Sequence, residues 1–330
     1  MSKKHRNIDP HDVRFFSGRS NPVLAQKIAD YLELPMETTH FSKFSNDNLF
    51  VQLGASVRGR RVYIVQSLVS PVSDHLLELL MMLDIAKSAA AHDIHAIIPY
   101  YSYARSDKKD APRISITARL VADLMQTAGA TRIMTMTLHS PQVHGFFSVP
   151  ADPLTARGLF ADHMLKNSKS LADAVVVAPD VGSAKSAARF ADLLDLPTAA
   201  AQKTRISDEE VKIGSLFKRQ VAGFRHAIIY DDEIATGGTV AELSRLLVES
   251  GIEQITLICT HGLFLGKAFA RLQAIPQIQE IITTDTVPRA PENQPPNMTI
   301  LSTASIFGRA IRQNYLHRSI GELFDFGADQ

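Results

Sequence analysis

Short runs of β-branched and apolar residues recur along the chain, and most give way to a turn and then to a helical pattern. Residues 62–65, 94–98, 132–136, 174–178, 227–230 and 254–259 each have the length of a buried strand. Residues 74–90, 116–128, 182–194 and 239–250 carry helical spacing of apolar positions. Parallel neighbours in a sheet need a crossover long enough to hold a helix, so this alternation selects doubly wound α/β domains with parallel sheets. In that architecture ligands sit beyond the carboxyl ends of the strands, where loops lead into helices.

A length of 330 residues suggests about two domains at roughly 150 residues each. An internal repeat supports two similar halves. Arg61-Val-Tyr-Ile-Val-Gln-Ser leads through Pro71-Val-Ser into a helix from Asp74, and His226-Ala-Ile-Ile-Tyr-Asp-Asp leads through Thr236-Gly-Gly into a helix from Thr239. Both helices precede another strand, and only the second copy has paired acids and Gly-Gly. Val149-Pro-Ala-Asp-Pro breaks the pattern, which divides the chain into 13–153 and 154–330. A Pro-rich loop over 287–298 precedes a last strand and a helix running to about Phe324.

Composition narrows the function classes. Lys plus Arg total 35 against 34 Asp plus Glu, so no overall field favours nucleic acid or a membrane surface. Cys259 is the only cysteine, which excludes a disulfide within the chain and fits a reducing compartment. No apolar run is long enough to span a bilayer, and the polar start lacks a secretory pattern. The expectation is a cytoplasmic globular protein.

The sharpest chemistry lies in Ile228-Ile-Tyr-Asp-Asp-Glu-Ile-Ala-Thr-Gly-Gly-Thr-Val. A buried strand ends in Asp231 and Asp232, and a short turn opens a helix. Backbone N–H groups at a helix start form an anion site, and Gly237 and Gly238 let the main chain approach a phosphate. Thr236 and Thr239 add hydroxyl donors beside Ala235, while the two acids accept from ribose hydroxyls directly or through a metal-bound water. The loop therefore reads as the binding site of a phosphorylated ribose. It resembles the signature of the type I phosphoribosyltransferase superfamily, although Ala235 stands where one subgroup of that superfamily usually has an Asp and some nucleobase phosphoribosyltransferases have Ala, and Glu233 where an apolar residue is expected.

The resemblance continues along the chain. Phe15-Phe-Ser-Gly-Arg-Ser-Asn-Pro, Ser56-Val-Arg-Gly, Pro99-Tyr-Tyr-Ser-Tyr-Ala-Arg-Ser-Asp-Lys-Lys, Ile116-Thr-Ala-Arg-Leu-Val-Ala-Asp, Leu138-His with Gly145-Phe-Phe, Pro179-Asp, Thr260-His-Gly and Ile320-Gly-Glu-Leu-Phe stand in order. Together they resemble the ribose-phosphate diphosphokinase family. Membership implies two phosphoribosyltransferase-like domains, the second alone keeping the sugar-phosphate loop, and the reaction of ATP with ribose 5-phosphate to give AMP and phosphoribosyl diphosphate.

The resemblance also assigns residues. Lys203-Thr-Arg205 matches a Lys-x-Arg at the base of a flap; by itself this triplet reads as an exposed strand end. Within the family Lys203 would stabilise the transition state and Arg205 would contact the sugar phosphate. Phe44, Asn46, Asp47 and Asn48 form the expected adenine hairpin, with Asn48 replacing a common Glu. Arg105, Ser106 and Asp107 would lie at ATP, Ser106 replacing the more usual Gln. His139 and Asp180 are the implied Mg2+ ligands, with His139 acting through water or on ATP phosphates; Thr137 stands where an Asp is usual. Relatives assemble as homo-oligomers, often hexamers built from dimers. Two other readings stay open: an attenuated regulatory paralogue that associates with an active enzyme, and a phosphoribosyltransferase that consumes the diphosphate sugar.

Overall fold

The computed structural model describes residues 8–167, 171–201, 203–205, 211–213 and 215–324. The chain forms two compact units that divide at Thr155/Ala156, with Thr286–Pro288 and the stretch from Ser302 onward returned to the first.

In the first unit β1 (Val13–Ser17), α1 (Pro22–Leu32) and β2 (Met36–Glu37) precede an antiparallel hairpin of β3 (Thr39–Lys43) and β4 (Leu49–Leu53). Then come β5 (Arg61–Val65), α2 (Val72–Ser88), β6 (Asp93–Ile98), α3 (Thr117–Ala128), β7 (Arg132–Met136) and β8 (Ala151–Leu154). The sheet order is β2-β1-β5-β6-β7-β8, and every neighbouring pair is parallel.

The second unit holds α4 (Arg157–Asn167), β9 (Ala174–Ala178), α5 (Ala184–Asp192), β10 (Thr198–Ala200), a hairpin of β11 (Lys203–Arg205) and β12 (Val211–Ile213), and α6 (Ser215–Val221). It continues with β13 (His226–Ile234), α7 (Gly238–Glu249), β14 (Gln254–Gly262), α8 (Ala268–Gln273), β15 (Ile278–Thr284) and β16 (Met298–Leu301). Its sheet, β10-β9-β13-β14-β15-β16, is also parallel throughout. Renumbered within each unit, both sheets run 2-1-3-4-5-6, so the expected doubly wound α/β class and the internal repeat hold at the level of topology. In each unit an antiparallel hairpin is inserted between the edge strand and the third strand.

The helix α9 (Ala304–Tyr315) follows the second sheet in sequence yet belongs to the first unit. It packs on α1 through Gly308, where a Cβ would come within 2.2 Å of the Tyr31 ring. Arg312 seals the contact, donating to the Tyr31 carbonyl at 2.9 Å with its guanidinium 4.9 Å from the ring centre. The helix ends at Tyr315 and gives way to a 3-10 turn at Gly321–Leu323, so it stops short of the expected Phe324.

The central strands of each sheet are buried on both faces, which is why they read as continuous apolar runs. Every residue of β9 is buried, and Val175, Val177, Ile229, Leu257 and Ile281 anchor the second core with Leu243 and Leu247 of α7. Ile64, Ala96 and Ile133 anchor the first with Leu79, Met82 and Leu83 of α2. Among the described residues no helix is long and apolar enough to cross a membrane.

Candidate active site

Strand order changes direction between β9 and β13, and the crevice outside the carboxyl ends of such a pair is where doubly wound sheets bind ligands. The acid-rich loop of the sequence falls there. The strand runs further than the sequence reading has it: β13 continues to Ile234, because β14 pairs with it as far as Gly262. Asp231 and Asp232 therefore lie inside the strand, fixed by the ladder, and the turn begins at Ala235.

The turn is held from behind. The carbonyls of Ala235 and Thr236 accept from Leu265 N and Arg271 Nη1, both at 2.7 Å, and Ile234 O accepts from Leu263 N and Phe264 N. Gly237 has φ 69°, the left-handed region that a glycine adopts without strain, and a Cβ there would lie 3.7 Å from Ala268. It precedes α7, whose first turn carries no acid and whose N-terminus has no side-chain cap. The positive end of the helix has no acid in its own first turn and opens from a turn with exposed Thr236, Gly238 and Thr239, the arrangement of an anion site at a helix start. Arg271 was not foreseen; a single Arg in a short helix carries no sequence signal for holding a turn 35 residues away.

Carboxylates collect at the same switch point. Burial and then the neighbouring Asp232 hold the Asp231 carboxyl well above the usual carboxylate range, with Asp180 adding to the effect. Asp180 follows β9 and accepts from Ser183 N at 2.9 Å and Ser183 Oγ at 3.1 Å through one oxygen. These are hard oxygen donors in mutual repulsion, which suits a hard divalent cation. Among the described residues no group of three or more His, Cys, Asp or Glu side chains could hold a metal ion by itself. A cation here would need water and substrate oxygens to complete its shell, as Mg2+ commonly does. Cys259, paired in register with Asp231, is fully buried with its thiol pushed up to about 12 by burial, and is chemically inert.

The raised pKa of Asp231 makes a stability prediction. The folded state holds this proton more tightly than the unfolded one, so the stabilisation is complete below the ordinary value of 3.8 and is lost as pH rises through the raised folded value. Asp231→Asn is expected to flatten that pH dependence and to raise stability at neutral pH without divalent cations by about 1 kcal/mol, or about 2–4 °C in Tm. Thermal unfolding from pH 4 to 8 checks it; an unchanged slope would show that Asp231 is not the titrating group.

In the first unit, the loop holding Arg105, Ser106 and Asp107 and the segment holding His139 follow adjacent strands, β6 and β7, and emerge at the same carboxyl edge. Arg105 and His139 are exposed. Ser106 is internal to the loop: its hydroxyl donates to Ser115 O at 3.2 Å and accepts from Thr117 N at 3.3 Å, stapling the loop to the start of α3. Thr137 has φ 37°, a strained value for a β-branched residue, and its N–H donates to Leu154 O. The hairpin tip turns between Phe44 and Asn48, with Phe44 N donating to Asn48 O at 2.9 Å and Asp47 in the left-handed region. Asn46 Oδ1 accepts from Asn48 N. Phe44 is 58% exposed and meets Phe50 edge to face at 5.8 Å. Lys203 and Arg205 pair with Ile213 and Val211 across β11–β12, while their side chains, on which the expected roles rest, lie outside the described part of the structure.

Fold and site together define a protein of two phosphoribosyltransferase-like α/β units, the second of which opens α7 on a Gly-rich turn. The family model for the N-terminal domain of ribose phosphate pyrophosphokinase matches residues 13–129, and that of the phosphoribosyl synthetase-associated domain matches 218–325. A putative ribose-phosphate pyrophosphokinase of Streptomyces coelicolor is 49% identical over 95% of this chain and 98% of its own. The ribose-phosphate pyrophosphokinase of Deinococcus radiodurans is 44% identical over 94% of this chain and 97% of its own. The crystal structure of phosphoribosylpyrophosphate synthetase from Mycobacterium smegmatis superposes with a TM-score of 0.85 at 36% identity, covering 93% of this chain and 99% of that one. The chain belongs to the ribose-phosphate pyrophosphokinase family.

Proposed function

We propose that the chain transfers diphosphate from ATP to the anomeric hydroxyl of ribose 5-phosphate, giving phosphoribosyl diphosphate and AMP. The observation that carries this reading is the Ala235–Thr239 turn at the switch point of the second sheet, in a chain 49% identical to a putative ribose-phosphate pyrophosphokinase. The 5-phosphate would take the N-terminus of α7 and the hydroxyls of Thr236 and Thr239. Asp231 and Asp232 would accept from the ribose 2- and 3-hydroxyls and fix the anomeric carbon. Phe44 would stack on adenine, Asn46, Asp47 and Asn48 would line its edge, and Arg105 and Asp107 would lie at the nucleotide. The sugar's anomeric oxygen attacks the β-phosphorus, the bond to the α-phosphate oxygen breaks, and the hydroxyl proton is lost.

Negative charge spreads over the transferred group, so catalysis rests on positioning and cations. Lys203 would meet that charge and Arg205 the sugar phosphate. Mg2+ fits the oxygen donors of Asp180 and its neighbours and would neutralise phosphate charge; His139 would act on the ATP phosphates, directly or through water. Assembly as a homo-oligomer, a hexamer built from dimers in the resemblance, and a cytoplasmic setting complete the reading.

Purified protein incubated with ATP, Mg2+ and ribose 5-phosphate is expected to release AMP and phosphoribosyl diphosphate in equal amounts, and to release neither when the sugar or the cation is omitted. Chromatographic quantification of both products checks it. No AMP from protein that still binds ribose 5-phosphate would overturn the proposal in favour of a regulatory paralogue.

A further inference from the structure

The first unit has the same strand order as the second, and its switch point falls between β1 and β5. β5 starts at Arg61 and β13 at His226, so the residue that corresponds to Asp231 is Gln66. Gln66 is fully buried and its amide is used internally. Oε1 accepts from Ser20 N at 3.1 Å and Ser20 Oγ at 2.6 Å, and Nε2 donates to His75 O and Glu78 Oε2, each at 3.0 Å. A Cβ on Gly18 would come within 2.2 Å of Gln66 Oε1, so the side chain fills the crevice. The helix here opens with Asp74 in its first turn, and Glu78 one turn later is fully buried. Where the second unit receives an anion, the first supplies its own.

Glu78 has one cationic partner in the network, Arg19, whose Nε donates to Oε1 at 2.6 Å and whose Nη2 reaches the same oxygen. A fully buried carboxylate fixes its partner firmly, because the unpaired charge would be costly. Arg19 itself is exposed, and its guanidinium lies 5.5 Å from the ring centre of Phe41 on β3. Two residues further, Lys43 bonds Asp74 of α2 at 3.1 Å. The next residue is Phe44.

We propose that the first unit's crevice has become a latch, in which Arg19, held by Glu78, fixes the β3–β4 hairpin through Phe41 and so presents Phe44 to the nucleotide. The inference rests on the reading of that hairpin as the adenine contact. Arg19 is a positioning residue, acting through Phe41.

Steady-state kinetics of the full-length enzyme test it. Phe41→Leu removes the ring and leaves the buried carboxylate paired; it is expected to raise the KM for ATP about threefold to fivefold, the value of one exposed cation–π contact. The KM for ribose 5-phosphate and kcat should stay within about twofold, a split that general loss of structure would not give. Arg19→Met combined with Glu78→Gln should give a similar rise without leaving a buried charge, and adding Phe41→Leu should change little more, because both act through one contact. Phe44→Ala is the control for the underlying reading: if it leaves the KM for ATP unchanged, hairpin contact and latch both fall. A rise in Phe44→Ala with no rise in Phe41→Leu or in the Arg19→Met/Glu78→Gln variant overturns the latch alone, as does an equal rise in the KM of both substrates.

Discussion

Lys203→Ala is expected to lower kcat about a hundredfold to a thousandfold, the usual effect of removing one group aimed at developing charge. The KM values for ATP and ribose 5-phosphate should move far less. A cation that meets charge only as the diphosphate leaves the α-phosphate oxygen stabilises the transition state more than the bound substrates, so its loss appears in kcat. Folding should be untouched, since Lys203 lies on a two-stranded hairpin opposite Ile213, apart from the main sheet. Lys203→Arg keeps the charge with a different shape and should recover part of the rate. Arg205→Ala, on the same strand, should instead raise the KM for ribose 5-phosphate. Initial rates of AMP formation with each substrate varied in turn separate these outcomes. Full activity in Lys203→Ala would remove this residue from the mechanism.

The parallel sheets were legible because their central strands are buried on both faces and so leave unbroken apolar runs, as in 174–178 and 254–259. The turn at Ala235–Thr239 was legible because its glycines and threonines mean little except where a strand hands over to a helix. The end of β13 was not: Asp231 to Glu233 have poor strand preference, and only pairing with β14 keeps them in the sheet. The β3–β4 hairpin was readable only by resemblance, since its two short strands bury one residue, Val51. The assignment of α9 to the first unit depends on the absent Cβ of Gly308 beneath Tyr31. No local pattern distinguishes that glycine from a helix defect. The Arg19–Glu78–Gln66 network is hidden for a similar reason, because its members are far apart in sequence and each reads alone as ordinary polarity.

Both units carry the same switch point, and the contrast between them gives the proposed sugar-phosphate site a direct test. Gly238→Asp is expected to weaken ribose 5-phosphate binding by more than a hundredfold, through like charge at the place where the helix N-terminus would receive the phosphate. The position can take a side chain: it is exposed, its backbone is outside the left-handed region, and a Cβ would meet only Thr236 Oγ1 at 3.8 Å. The new carboxylate would stand in the first turn of α7, which has no acid of its own, as Asp74 does in the first turn of α2. Stability should therefore stay level or rise by about 0.3–1 kcal/mol while affinity collapses. Gly238→Ala fills similar space without charge and should cost only a few-fold in affinity. Calorimetric titration with ribose 5-phosphate and thermal unfolding of the same samples read both effects. Steric damage would lower affinity and stability together, whereas occupation by a built-in anion moves them apart. Unchanged affinity in Gly238→Asp would mean that the phosphate binds elsewhere.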